Sequence, residues 1–191
     1  MADKKPKKRT NARDRLVGAA DDMVHVQGFK HTSLAHIARA AGVPLGNVYY
    51  YFKTKEDIGQ AVIARRAGFY EQLREQWERL PDPRARLQAF IQMTIDNREL
   101  LARSGCPIGS LCQELHKEGG PLAEQAGAMF TALLVWLEAQ FHVLGKGDES
   151  SDLALHLLSA LEGASLLTHT FGEPDLMLRE TARLQSWLAT L

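Results

Sequence analysis

The sequence is poor in cysteine and lacks long apolar runs. Its two cysteines, Cys106 and Cys112, are too few for a disulfide framework in 191 residues, which excludes the small disulfide-stabilised folds. No apolar run reaches the roughly 18 residues of a membrane-spanning helix, so we expect no membrane partner. The basic N-terminus is not followed by the apolar segment of a signal peptide, and we therefore expect a cytoplasmic protein.

Motifs for catalysis or cofactor binding are also missing. The chain contains no P-loop, dinucleotide-binding fingerprint, nucleophile elbow or metalloprotease motif, so we expect neither an enzyme nor a cofactor. Cys112 and His116 lie four residues apart on a predicted helix face, and Cys106 is close in sequence, which leaves a zinc or copper site as an alternative. We expect no metal, because no dense cluster of ligands accompanies them.

The net charge is zero, but it is unevenly distributed. Residues 1–57 hold 11 of the 23 Lys and Arg residues and only 6 of the 23 Asp and Glu residues. A basic N-terminal part on an acidic remainder indicates a polyanionic partner at the N-terminal end. The lysine-rich tail over residues 1–11 has an alternative role as a solubilising extension, which would add only non-specific attraction to phosphate.

Helical periodicity extends over almost the whole chain, and glycine and proline fall mostly between the periodic stretches. No period-two alternation indicates a strand. We therefore predict an all-α protein of about nine helices. Its parts are the basic tail over 1–11, a domain of short helices over 12–57 and a larger helical domain over 58–191.

The short helices form a helix-turn-helix pattern around the turn Ala41-Gly42-Val43. Gly42 allows the chain to reverse between two closely packed helices. The second of these helices begins near Pro44, and its N-terminal residues are then free to meet base edges in the major groove of DNA. The predicted core of this unit is Leu34, Ile37, Ala38, Val43 and Val48.

The predicted recognition helix carries side chains that suit DNA contact. Asn47 has both a donor and an acceptor, as adenine recognition requires, and tyrosine hydroxyls and lysines reach phosphates. Tyr49, Tyr50 and Tyr51 are consecutive and cannot all face inward, so Phe52 is the better candidate for the core. The predicted DNA-binding residues are Thr32, Ser33, Pro44, Leu45, Gly46, Asn47, Tyr49, Tyr50, Tyr51, Lys53 and Lys55.

The stretch from Gly28 to Ile58 closely resembles the TetR/AcrR family of bacterial transcriptional regulators. The family pattern of Gly-Phe, Thr-Ser, Ile-Ala, Ala-Gly-Val, an aromatic run and Lys-x-Lys-Glu is matched in register. The resemblance covers roughly residues 12–60. Tyr51 departs from it, since many members carry histidine there, but a tyrosine hydroxyl can still hydrogen-bond phosphate.

The resemblance implies a homodimer in which the last two long helices of each subunit form a four-helix bundle. Both of these helices are apolar over a wide arc, which a solvent-exposed helix would not need. The alternative is that the two helices pack only within one chain. The predicted dimer interface is Leu153, Leu157, Leu161, Ala164, Leu167, Leu184, Trp187 and Leu188.

The resemblance also implies a small-molecule ligand in the C-terminal domain. Binding of an inducer there shifts the spacing of the two DNA-binding domains, provided that the inducer has a different affinity for the two states. Most of the candidate pocket residues are also candidates for ordinary core. They are Phe90, Met93, Thr94, Cys106, Ile108, Leu111, Cys112, Phe130, Leu133, Leu134, Trp136, Leu137 and Phe171.

The most unusual segment of the C-terminal domain is Gly105-Cys106-Pro107-Ile108-Gly109. It resembles a Gly-Cys element found in some family members, including repressors that respond to electrophiles and oxidants. Cys106 precedes a helix that Pro107 opens, and a helix N-terminus lowers the pKa of a thiol. Cys106 is therefore a candidate sensor, with a small buried side chain at a helix entry as the alternative.

Together these features predict a DNA-binding transcriptional regulator. We expect a homodimeric repressor that a small molecule or an electrophile releases from a palindromic operator in double-stranded DNA. The alternative is a helical interaction protein, or an enzyme, whose helix-turn-helix binds no DNA.

Overall fold

A computed structural model of the protein describes residues 11–191, and the chain divides into two compact units after Val62. These residues fold into ten α-helices without a strand, so the predicted all-α class is confirmed. The unit boundary lies a few residues beyond the domain boundary predicted at residue 57. Of the predicted basic tail, only Asn11 falls within the described residues.

The first unit contains α1 (Ala12–Gln27), α2 (Leu34–Ala41), α3 (Leu45–Tyr51) and the start of α4 (Lys55–Trp77). Asn11 caps α1, because its Oδ1 accepts a hydrogen bond from the Asp14 amide at 2.8 Å, and Ser33 caps α2 in the same way through His36. The buried core of the unit is Leu16, Val17, Ala20, Ile37, Ala38, Val43, Val48, Phe52, Ile58 and Val62, with Leu34 partly buried against it.

The turn between α2 and α3 depends on Gly42. Its backbone is left-handed, with φ 62° and ψ 38°, a conformation that costs other residues about 1–2 kcal/mol. The Gly42 and Val43 amides donate to carbonyls of the last turn of α2, Val43 to Ala38 at 2.9 Å. This closure satisfies the helix end and directs the chain into α3.

The second unit contains the rest of α4 and six further helices. They are α5 (Pro83–Asp96), α6 (Arg98–Ser104), α7 (Pro107–Glu118), α8 (Pro121–Val143), α9 (Ser150–Phe171) and α10 (Pro174–Thr190), with a 3-10 turn at Gly147–Glu149. The helices α5 and α6 are separated by Asn97. Asn97 leaves helical geometry there, with φ −98° and ψ 7°, and its side-chain amide donates to the Met93 carbonyl at 2.7 Å. The helix count of the described residues is therefore ten.

The core of the second unit lies among α5, α8, α9 and α10. Leu137, Phe141, Leu157 and Leu188 are all completely buried there, and each such side chain contributes roughly 1.5–3 kcal/mol of burial free energy. By length and composition alone, α8 is the one described helix that could cross a membrane. Trp136, Leu137 and Phe141 of this helix belong to the main core.

Candidate DNA-binding face and ligand cavities

The exposed face of α3 is built around one buried residue. Val48 is 0% exposed and anchors the helix on the core of the first unit, whereas Tyr50 is 79% exposed. Tyr49 and Tyr51 are also exposed, and the Tyr50 and Tyr51 rings meet edge to face with centroids 5.0 Å apart. The predicted residues Pro44, Leu45, Gly46, Asn47, Tyr49, Tyr50 and Tyr51 are thus all exposed to solvent in this unit.

Thr32 lies inside the first unit and not on this face. Its side chain is 2% exposed, and its hydroxyl donates to the Gly28 carbonyl at 2.8 Å while accepting from Gln27 Nε2 at 3.3 Å. The predicted phosphate contact by the Thr32 hydroxyl is therefore corrected to a structural role at the end of α1. Ser33 is half-buried, and its hydroxyl is already used as the cap of α2.

The two lysines predicted to contact phosphate also hold the fold. Lys53 Nζ donates to the Tyr49 carbonyl at 2.6 Å and so neutralises the last turn of α3. Lys55 Nζ donates to the Lys30 carbonyl at 2.9 Å and lies 4.6 Å from the centroid of the Phe29 ring. A change at Lys55 will therefore disturb the loop before α2 as well as any phosphate contact.

The start of α4 is closed by a capping box. The Thr54 hydroxyl accepts from the Asp57 amide at 3.1 Å, and Asp57 Oδ2 accepts from the amides of Lys53 and Thr54 at 2.8 and 3.0 Å. The backbone amides of Thr54 and Lys53 lower the pKa of the Asp57 carboxyl below its ordinary value. This closure fixes the chain that leaves the exposed face of α3.

One cavity of the second unit, of about 110 Å³, is mainly aromatic and apolar. Of the predicted pocket residues it receives Ile108, Leu133 and Trp136. Trp136 is 5% exposed, and its indole N–H has no hydrogen-bond partner among the described residues. The lining residues that were not predicted come mostly from α4, namely Ala67, Tyr70, Glu71, Arg74 and Trp77, with Met129 and Ala132 from α8.

A second cavity, of about 230 Å³, lies between α7 and α9. It receives Cys106, together with residues that were not predicted: Gly105, Gly109, Ser110, Gln113, Glu162, Gly163, Ser165, Leu166 and His169. Glu162 could have been noticed in the sequence, because it is the only acidic residue between Leu153 and Phe171 and no basic residue other than His156 and His169 accompanies it. Its meeting with Cys106, 56 residues away, has no signal in the sequence.

The remaining predicted pocket residues line neither cavity. Phe90, Leu111, Cys112 and Leu137 are buried, and Met93, Phe130 and Leu134 pack against the main core. The Thr94 hydroxyl donates to the Ile91 carbonyl at 2.7 Å, whereas Phe171 is 63% exposed. Periodicity identifies these residues as apolar helix positions, but it does not tell a packed neighbour from a cavity wall.

The environment of Cys106 opposes the predicted thiolate. The thiol caps α7, accepting from the Gly109 amide at 3.3 Å, and donates to Glu162 Oε1 at 3.1 Å. Burial, followed by the Glu162 carboxylate, raises the pKa of the Cys106 thiol well above its ordinary value. The expectation of a lowered pKa is therefore corrected, because burial and one buried carboxylate outweigh the partial charge of a helix N-terminus.

Most residues predicted at the dimer interface lie in the chain's own core. Leu157, Leu161, Leu184 and Leu188 are at most 3% exposed and Ala164 is 8% exposed, while Leu153 and Trp187 pack partly buried against the main core. Among the predicted residues, Leu167 alone is largely exposed, at 51%. The exposed apolar side chains on α9 are instead Leu155, Leu166, Leu167 and Phe171.

The described residues contain no group of three His, Cys, Asp or Glu side chains placed to hold a metal ion. Cys112 and His116 thus gain no third ligand from this part of the chain.

Two short helices joined by a left-handed glycine turn, the second of them exposed around the buried Val48, have the arrangement of a helix-turn-helix. Residues 16–62 match the model of the bacterial regulatory proteins of the TetR family. The N-terminal unit therefore matches that family over residues 16–62, and the similar proteins described next are transcriptional regulators.

Comparison with individual proteins extends beyond the DNA-binding unit. The chain is 27% identical over 172 residues to the uncharacterized HTH-type transcriptional regulator YxaF of Bacillus subtilis (strain 168), and the match covers 85% of this chain and 87% of that protein. It is also 28% identical over 116 residues to the HTH-type transcriptional repressor NemR of Escherichia coli (strain K12). That match covers 60% of this chain and 57% of NemR. The fold is that of a TetR transcriptional regulator from Legionella pneumophila, with a TM-score of 0.85 at 20% identity over 94% and 98% of the two chains.

Proposed function

We propose that this regulator is a homodimeric repressor that acts in the cytoplasm on a palindromic operator and leaves it when a small molecule or an electrophile is bound. The exposed face of α3 around the buried Val48 carries this proposal, because it presents Asn47 and three tyrosines without disturbing the core. NemR, one of the similar proteins, is a transcriptional repressor, and this supports the same sign of regulation.

Asn47 is the residue we propose for base recognition. It is exposed at the N-terminal end of α3, where a recognition helix meets base edges, and its amide can pair with adenine. Tyr49, Tyr50 and Lys53 surround it with groups that reach phosphates. Ser33 and Lys55 are weaker candidates for phosphate contact. The Ser33 hydroxyl already caps α2, and Lys55 Nζ already donates to the Lys30 carbonyl.

The DNA-binding proposal is tested with an operator selected by the purified protein from a random duplex library. We expect a steep fall in affinity with salt and a preference of at least about a thousandfold over scrambled duplex. Asn47→Ala should remove about ten- to a hundredfold of that preference, whereas Gln72→Ala, an exposed amide on α4, should leave it unchanged. Equal affinity for selected and scrambled duplex contradicts the proposal.

The dimer surface we propose is the exposed apolar face of α9. Leu155 and Leu166 are 55% and 57% exposed, and their separation of eleven residues places them on one helix face. Two-fold pairing of such a surface matches the symmetry of a palindrome. Leu155→Glu should shift the molecular mass measured by light scattering from two chains to one, whereas Val135→Glu, a similarly exposed position on α8, should not. A dimer that survives Leu155→Glu contradicts this assignment.

Cys106 remains the residue we propose for response to electrophiles, because its thiol lines a cavity. The raised pKa of this thiol implies slow modification, since the thiolate is the nucleophile. A thiol-alkylating reagent should release operator DNA from the wild type and leave Cys106→Ser bound, with Cys112→Ser as the matched control. Release that is unchanged in Cys106→Ser removes Cys106 from the mechanism.

A further inference from the structure

The cavity between α7 and α9 contains the Glu162 carboxylate, for which residues 11–191 provide no ion-pair partner. Among the described residues, the Cys106 thiol is the only group that donates a hydrogen bond to Glu162, and none forms an ion pair with it. Burial raises the pKa of the Glu162 carboxyl above its ordinary value, which indicates that the carboxylate is under-solvated where it lies. A buried charge is normally paired, so a group that supplies positive charge would be favourable here.

The other polar groups in the cavity wall can also accept hydrogen bonds. Ser165 is 3% exposed, and its hydroxyl has no hydrogen-bond partner within residues 11–191. His169 Nδ1 lies 3.1 Å from the Ala102 carbonyl oxygen, which can only accept, so the Nε2 atom of the neutral ring is an acceptor. Gln113 adds an amide oxygen to the same wall.

The backbone around the cavity is adapted to the position of the carboxylate. A Cβ on Gly109 would lie 2.5 Å from Glu162 Oε2, so any other residue at this position would push the carboxylate away. Gly109 thus leaves the space that Glu162 Oε2 occupies, and the Cys106 thiol donates a hydrogen bond to Glu162 Oε1. This arrangement explains the second glycine of the segment from Gly105 to Gly109, which a thiol sensor alone does not require.

We propose that this cavity binds a small organic cation with N–H donors, a primary ammonium or amidinium compound, through Glu162 and Ser165. The volume of about 230 Å³ exceeds the roughly 150 Å³ that holds a benzene molecule in an engineered cavity, so the ligand has about the size of a substituted benzene ring. Leu166 supplies an apolar wall for its carbon skeleton.

The site lies beside the surface that we propose for dimerisation. Gly163 and Leu166 line the cavity and are exposed on α9, so an occupant would alter the same helix that pairs the two chains. The inference rests on the proposed function for this regulatory consequence only. The binding of the cation itself requires neither DNA nor a dimer.

Calorimetric titration of the full-length protein tests the proposal with three ligands of similar shape: benzylamine, benzyl alcohol and benzoate. We expect one benzylamine per chain, bound at least tenfold more tightly than benzyl alcohol, and no binding of benzoate. Glu162→Gln should weaken benzylamine binding by at least tenfold, because it keeps the shape and removes the charge. Glu138→Gln, an exposed position on α8, should have no effect.

Ser165→Ala provides a second variant if Glu162→Gln does not fold, and it should weaken benzylamine binding about three- to tenfold. The proposal would be overturned if benzylamine and benzyl alcohol bound with equal affinity, or if benzylamine gave no heat of binding. It would also be overturned if folded Glu162→Gln or Ser165→Ala bound benzylamine as the wild type does. Operator release is measured separately. If benzylamine binds without changing DNA affinity, the cation site is supported and its role in induction is contradicted. If alkylation of Cys106 releases DNA but benzylamine does not bind, the proposed function is supported and the cation site is contradicted.

Discussion

Replacement of Gly46 by alanine should move stability and DNA affinity in opposite directions. Gly46 is exposed in the first turn of α3, and a Cβ at this position would meet no atom within 4 Å. Alanine loses less backbone entropy on folding than glycine and costs up to about 1 kcal/mol less in a helix interior. Because Gly46 lies in the first turn, we expect the lower part of that range, a gain of about 0.5 kcal/mol.

The same methyl group should weaken DNA binding. If α3 enters the major groove, its N-terminal turn faces the base edges, and we expect an added methyl group at Gly46 in that turn to hold Asn47 away from the bases. We expect a loss of at least about tenfold in affinity for the selected operator, which is about 1.4 kcal/mol. Fluorescence anisotropy with the labelled operator at fixed salt measures this change, and denaturant unfolding followed by circular dichroism at fixed protein concentration measures the stability.

Gly18→Ala is the matched control for this prediction. Gly18 lies inside α1, and a Cβ on this residue would likewise have no atom within 4 Å. The substitution should stabilise the protein by up to about 1 kcal/mol and leave operator affinity unchanged. Wild-type affinity in Gly46→Ala would refute the assignment of the α3 face to DNA, and destabilisation of Gly46→Ala would refute its helical geometry.

Three further changes test individual parts of the structure. Gly42→Ala should lower the unfolding free energy by about 1–2 kcal/mol, measured by the denaturant midpoint, since its φ is 62° and no atom obstructs the side chain; an unchanged midpoint contradicts the left-handed turn. The pKa of Asp57 is lowered in the folded protein, so its carboxylate stabilises the fold above the ordinary pKa of aspartate, and this stabilisation is lost as pH falls through the pKa of the folded state. Asp57→Asn should therefore reduce the pH dependence of the unfolding free energy in acid. The raised pKa of Glu162 acts oppositely, because the charged form is disfavoured in the fold: Glu162→Gln should be more stable than the wild type at neutral pH and lose that advantage near about pH 4. A constant difference across this pH range contradicts the burial of an uncompensated carboxylate.

The DNA-binding unit could be predicted in detail because its signals are local. Gly42 between two short apolar stripes, with Val48 and Phe52 facing inward, specifies the turn and the buried side of α3 within about twenty residues. Thr32 shows the limit of that approach. A threonine before a helix indicates a cap or a phosphate contact, and only the fold shows that its hydroxyl is buried against the Gly28 carbonyl.

The second unit was less predictable because its sites join distant helices. Apolar periodicity marks Leu157 and Leu188 as helix faces, but it does not distinguish a face that packs within the chain from one that pairs with another chain. Both residues are completely buried in the main core.

The sequence alone determined the all-α class, the helix-turn-helix and the buried side of α3, since each depends on contacts a few positions apart. Only the tertiary structure decided the state of Cys106. Its place at a helix N-terminus predicts a lowered pKa, but the fold buries the thiol and brings Glu162 of α9 to 3.1 Å from it. Burial is the larger cause of the raised pKa of the Cys106 thiol, and the Glu162 carboxylate adds to it. Both causes depend on the tertiary fold, since Glu162 lies 56 residues away in the sequence.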